Sequence, residues 1–190
     1  MKSIAVLCLA ALSLTACKEE HAALPQAVEM TEEALGFYCQ MDLLTHDGPK
    51  GQIHLDGMPG PIFFSQVRDA IAYLHMPEQS HAIQVAYVQD MAGAANWATP
   101  ESWMPLTEAY YVIGSDKLGG MNAPEFVPFS NIAAAENFVL LHGGTVKRYS
   151  EITTNEVLAP TAPSLPASSA TDSSDIASRL RALSSSQRTN

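Results

Sequence analysis

The sequence predicts an α+β domain made of two related halves, each packing a helix on a small antiparallel sheet. Three observations predict it. Residues 51–57, Gly-Gln-Ile-His-Leu-Asp-Gly, alternate polar and apolar as a half-buried strand does. Val67, Ala70, Ile71 and Leu74 then recur at helical spacing. The same order returns 65 residues later, where Phe64-Ser65 corresponds to Phe129-Ser130, Val67 to Ile132, Ala70 to Ala135, Tyr73 to Phe138 and Leu74 to Val139. That is the pattern of a duplicated strand and helix unit.

Gly57 and Pro59-Gly60 turn the first strand back into a short second one at Pro61–Phe64. Ser65 is placed to cap the following helix, which stops before Pro77. His81 to Gln89 reads as the next strand. In the second copy, Ala109 to Ile113 is a strand and Ser130 to Leu141 a helix. Gly143-Gly144 stops that helix, and Thr145 to Tyr149 is a last strand. Each copy contains a Gly-Met turn, Gly57-Met58 in the first and Gly120-Met121 in the second. Trp97 and Trp103 flank Thr99-Pro100 and are expected to pack the connector between halves.

Both ends differ from this core. A single Lys2, an apolar run from Ile4 to Leu14 and small residues after it follow the order of a secretory signal. The run is too short for a bilayer span, which needs about 20 apolar residues. Leu14-Thr15-Ala16-Cys17 looks like the lipobox of bacterial lipoproteins, giving a signal over 1–16 and a lipidated N-terminus at Cys17. An ordinary signal that happens to hold a cysteine is the alternative. Residues 17–35 are polar and acidic and are expected to be a tether. The domain is expected over 36–158, with its first half at 36–92 and its second at 93–158. Residues 159–190 are rich in Ser, Ala and Pro, contain no aromatic side chain, and are expected to be disordered.

The formal net charge is −10, and cleavage of the signal removes one more cation. That balance argues against nucleic acid and anionic headgroups as partners. Of the three cysteines, Cys8 leaves with the signal and Cys17 carries lipid, so Cys39 remains alone. No internal disulfide is then possible, and a lone exported thiol is exposed to oxidation. It is either buried and inert or it serves a purpose.

Cys39-Gln40-Met41 places a thiol and a thioether two positions apart, and in an extended chain both would point the same way. Thiolate and thioether together favour copper(I), whereas zinc and the hard cations do not seek thioethers. No Cys-x-x-Cys or His-Glu-x-x-His pattern supplies a closed zinc site. His46 and His54 follow in sequence. Either could also act as base to a nucleophilic Cys39, so a thiol-dependent enzyme stays open, as does a structural lipoprotein in which Cys39 is buried and Met41 packs. His75, His81 and His142 fall at element ends and are expected to be solvated or capping groups.

Tyr38-Cys39-Gln40-Met41, Gly48-Pro49-Lys50-Gly51-Gln52-Ile53-His54, Gly120-Met121 and Val127-Pro128-Phe129-Ser130 resemble the NosL family of lipid-anchored accessory proteins of nitrous oxide reductase. The resemblance covers roughly Gly36 to Ile152 together with the lipobox. It implies a monomeric copper(I) chaperone, not an enzyme, with two ββα-type halves similar to the fold of organomercurial lyase. It also implies delivery of copper for the reductase's catalytic cluster through a membrane-bound maturation complex. The expected seat is the periplasmic side of a membrane, the outer one. Carried over residue by residue, Cys39 and Met41 match the sulfur motif and Met121 the methionine of a second loop. His54 lies within the matching segment and is a weaker candidate; Met58 has no counterpart. Family members often have Cys-Gly-Met, so Gln40 is a departure that keeps both sulfurs and bears on loop geometry.

Overall fold

The computed structural model describes residues 23–98, 100 and 102–160. The expected signal, Cys17 and the segment beyond residue 160 lie outside them. Strands β1 (Gly51–Leu55), β2 (Ile62–Phe64), β3 (Ile83–Asp90) and β4 (Ser102–Pro105) form one antiparallel sheet in the order β2-β1-β3-β4. Helix α1 (Val67–His75) connects β2 to β3. Strands β5 (Tyr110–Ile113), β6 (Val127–Phe129) and β7 (Thr145–Arg148) form a second sheet ordered β6-β5-β7, with α2 (Ile132–His142) between β6 and β7 and α3 (Thr154–Leu158) last. The duplication is therefore one of topology as well as of spacing: strand, strand, helix, strand, with the first strand central in each copy. The chain is α+β, as its pattern predicts.

Alternation decides which residues meet α1. Ile53 and Phe64 turn inward with Ala70 and Tyr73 of the helix. Gly51 faces the same way, and a Cβ there would come within 2.5 Å of the Ala70 methyl. A larger core joins the halves: Val67, Ile71 and Val88 pack with Leu106, Tyr111, Phe126, Ile152 and Val157. The buried Tyr111 hydroxyl donates to the Leu106 carbonyl at 2.6 Å, which satisfies its one donor inside this core. Trp97 crosses from the connector to stack on Phe138 of α2 and donates its indole N–H to the Leu118 carbonyl.

Several local expectations change. β1 is buried on both faces, because the chain from Pro25 to Val28 lies over its polar side. There Val28 exchanges two hydrogen bonds with the Gln52 amide, and Tyr87 donates to the Pro25 carbonyl. The later part of the acidic tether thus belongs to the fold. Ser65 does not cap α1; Gln66 occupies the N-cap position without capping through its side chain. Trp103, expected in the connector, stands on β4, which pairs with β3.

Candidate metal site

The first loop of the site hangs on the edge of β2. Leu35 bridges to Asp42, Gly36 N–H donates to the Met41 carbonyl at 3.0 Å, and Phe37 N–H donates to the Phe63 carbonyl at 2.7 Å. Cys39 therefore sits in a tight turn rather than in extended chain, so the alternation argument for its orientation does not apply. Gln40 has φ +55°, in the left-handed region that glycine adopts without cost. Its side-chain amide donates to the Gly36 and Phe37 carbonyls, which offsets part of that cost. Gly36 is required for a separate reason: a Cβ there would collide with the Cys39 sulfur. The half-buried thiol folds back over this glycine and reaches the Ser65 hydroxyl at 3.6 Å. A hydroxyl rotates to suit, so Ser65 accepts from the thiol and can donate to the thiolate. Met41 is 46% exposed.

The second loop crosses from the other half. Leu118 bridges to Pro124, and Gly119 N–H donates to the Ala123 carbonyl. Both glycines are needed for close approach. A Cβ on Gly119 would strike the Glu125 carboxyl, and one on Gly120 would lie 2.8 Å from the Ser65 carbonyl oxygen and 2.9 Å from the His46 Cβ. Met121, 42% exposed, donates its backbone N–H to the Gln66 amide oxygen at 2.8 Å. The two loops meet at Ser65 and Gln66, with the Cys39 thiol on one side and the Met121 backbone on the other.

Glu125 locks this junction. It is 1% exposed and accepts from the backbone N–H groups of Val67, Arg68 and Phe126, so it closes the start of α1 across the two halves. Burial pushes its carboxyl up to about 8, against the pull of the three N–H donors. Lys50 is also buried; its ammonium donates to the carbonyls of His46, Asp47 and Gly48, and burial lowers its pKa to about 8.

The histidines separate. His54 lies on the outer face of β1, 3.1 Å from the Gln52 amide oxygen and edge-on to Tyr87, with its pKa lowered by burial. That places it on the side of the sheet away from α1 and the Cys39 thiol. His46 instead lies against Gly120, and its Nε2 is buried without a hydrogen-bond partner. Met58 is at the far end of the β1–β2 hairpin, beyond the Ile53–Ile62 pair, whereas Ser65 follows the opposite end. His75, His81 and His142 pair with Thr154, Ser80 and Asp116. Among the described residues no three His, Cys, Asp or Glu side chains converge as metal ligands. The thiol's partner there is a serine, not a histidine base. The donors the two loops can offer are thus a thiol and thioethers, with one imidazole nearby.

Comparison with known proteins gives the family. The model of the NosL family matches residues 27–157. The chain belongs to the NosL family. It is 50% identical over 182 residues to the copper-binding lipoprotein NosL of Achromobacter cycloclastes, across 94% of this chain and 93% of that one. To the copper-binding lipoprotein NosL of Stutzerimonas stutzeri it is 29% identical over 154 residues, 76% of each chain. The crystal structure of the copper chaperone NosL from Shewanella denitrificans superposes with a TM-score of 0.63 at 30% identity, covering 67% of this chain and 96% of that one. These relatives carry the names of accessory metal-binding proteins rather than enzymes.

Gln66 and Glu125, which line the junction of the two loops, were not singled out by the sequence, and Ser65 was read only as a cap. Glu125 left a signal: one carboxylate inside Ala-Pro-Glu-Phe-Val-Pro-Phe must be paired if that run is buried. Gln66 left none.

Proposed function

We propose that this NosL-family chain is a lipid-anchored copper(I) chaperone, attached through Cys17 on the periplasmic side of the outer membrane. It passes copper to nitrous oxide reductase through that enzyme's membrane-bound maturation complex. The observation that carries the copper reading is the meeting of the Cys39 loop and the Met121 loop at Ser65 and Gln66. The Cys39 thiolate supplies the charged ligand, and Met41 and Met121 supply thioethers. His46, beside Gly120 with an unpaired Nε2, is a better placed fourth donor than His54. Such a set is soft enough to favour copper(I) over zinc. Both methionines are about half exposed, so a ligand from a recipient can reach the ion and take it by exchange. Among the described residues no helix is long and apolar enough to cross a membrane, and lipid on Cys17 would supply the attachment.

Metal content of anaerobically purified protein and competition with a copper(I) chelator test the site. One copper(I) per chain is expected, with Cys39→Ser losing affinity by at least about a hundredfold, more than loss of an outer partner typically costs. Met121→Ala should weaken copper(I) while shifting stability by less than about 1 kcal/mol, because the side chain is half exposed. Parent protein that binds no copper(I), or binds zinc as tightly, overturns the reading. Transfer of the bound ion to copper-free nitrous oxide reductase tests the recipient separately.

A further inference from the structure

We infer that Gln66 is a positioning residue of the copper site, holding Met121 where its sulfur can join Cys39. The inference rests on the reading of Met121 as a ligand and adds to it the group that fixes its backbone.

Three observations carry it. Gln66 is 1% exposed, and its amide oxygen accepts from Met121 N–H at 2.8 Å, a bond between residues 55 apart in sequence. The contact is close along the chain as well, since a Cβ on Gly119 would come within 2.9 Å of the Gln66 Cγ. Most telling is the equivalent position in the other copy of the repeat. Asn131, 65 residues on, is the N-cap of α2, and its side chain accepts from Ala134 N–H at 2.9 Å, closing its own helix. Gln66 is the N-cap of α1 with nearly the same backbone, φ −136° and ψ 142°, yet makes no capping bond. The Glu125 carboxyl accepts from Val67 and Arg68 N–H in its place. Capping has passed to Glu125, and the extra methylene of glutamine over asparagine carries the amide out to the Met121 loop.

A half-exposed loop methionine would otherwise sample many positions, and ordering it would cost conformational entropy each time copper bound. A hydrogen bond already made at its backbone removes part of that cost. Orienting partners of this kind typically contribute roughly 10–100-fold to metal affinity.

The test uses Gln66→Asn, which installs the residue that the second copy tolerates at this place but is too short to reach Met121. Copper(I) affinity is measured by chelator competition on the full chain, with thermal unfolding of the metal-free protein beside it. Gln66→Asn should weaken copper(I) roughly tenfold while costing no more stability than the loss of one hydrogen bond, about 1 kcal/mol. The decisive comparison is the double variant. On a Met121→Ala background Gln66→Asn should have no further effect, because the sulfur it positions is gone. Affinity unchanged in Gln66→Asn while Met121→Ala weakens it, or an equal loss persisting in the double variant, overturns the positioning role alone. Unchanged affinity in Met121→Ala removes Met121 from the site and the inference with it.

Discussion

The starts of α1 and α2 occupy the same place in the two copies of the repeat and are closed in different ways. α2 is closed locally by Asn131. α1 is closed from outside by Glu125, which arrives on the long excursion between β5 and β6, residues 114–126. The corresponding turn of the first copy, residues 56–61, is a short hairpin tip that reaches nothing comparable. The difference shows how a duplicated scaffold brings two unlike loops together: the first copy supplies the Cys39 loop at its edge and the second supplies a loop that reaches across. Only one copy keeps a self-contained helix start; the other depends on its neighbour for both its cap and its packing.

Breaking that dependence should give the largest effect. Glu125→Ala leaves three buried backbone N–H groups without an acceptor, at a cost of about 3 kcal/mol or more. Asn131→Ala, which removes the local cap of α2, should cost only about 1 kcal/mol. Urea unfolding of the two variants reads the ratio, and equal losses would show that the cross-copy cap is no more than a local one. Titration adds a signature. Burial raises the Glu125 carboxyl to about 8, so between about pH 5 and 8 the folded chain holds a proton that the unfolded chain has released. Its contribution to stability is complete below the free carboxyl value and is lost as pH rises through 8. Lys50, lowered to about 8, acts oppositely: above that pH the unfolded chain keeps a proton that the folded one lacks, so stability recovers toward the free lysine value. These two groups together place a stability minimum near pH 8. Lys50→Met should remove the rise above pH 8.

The two turns can be compared by adding one methyl group to each. Gly120→Ala would press a Cβ to 2.8 Å from the Ser65 carbonyl, a backbone atom that cannot swing aside. It should cost about 2 kcal/mol by overpacking and weaken copper(I) binding, because the loop must lift away from Ser65. Gly60→Ala, in the first copy's hairpin, meets nothing within 4 Å and should change stability by less than about 0.5 kcal/mol. Thermal midpoints together with copper(I) competition would show whether close approach in the second turn is what the site needs.

How much of this was legible depends on whether the cause was local. The repeat could be read because Ala70 and Ala135 occupy the same buried position in their helices, and burial sets the pattern. The end of α2 could be read because Gly143 takes φ +69°, a conformation suited to glycine. The alternation of Gly51 to Leu55 gave the strand but not its burial, since the covering chain around Val28 is 24 residues from Gln52 and carries no apolar period. That same cover explains the surroundings of His54, a weaker candidate ligand by resemblance, whose imidazole lies beside the Gln52 amide oxygen and edge-on to Tyr87. Ser65 looked like a cap because serine caps helices, but α1 starts one residue later, with Gln66 at the N-cap and Glu125 accepting from its first N–H groups. The sulfurs at 39, 41 and 121 were visible as residue types. What brings the Cys39 and Met121 loops together is contact between halves at Ser65 and Gln66, which no local pattern records.

The smallest effect concerns the one side chain that each loop holds in the left-handed region. Asn122 at φ +55° is a residue type that enters this region readily. Gln40, also at φ +55°, is not, and holds its place through amide bonds to the Gly36 and Phe37 carbonyls. Gln40→Ala would keep the strained Cβ and lose both bonds, at a cost of about 1 kcal/mol. Gln40→Gly also loses the bonds but removes the strain, while adding about the same amount of freedom to the unfolded chain. Its net effect should be within about 0.5 kcal/mol. Copper(I) affinity should be retained in Gln40→Gly, since neither sulfur nor Ser65 is touched. If Gln40→Gly were instead as costly as Gln40→Ala, the amide bonds rather than the backbone angle would be what shapes the loop between Cys39 and Met41. The contrast with Asn122→Gly, where little strain exists to relieve, would then disappear.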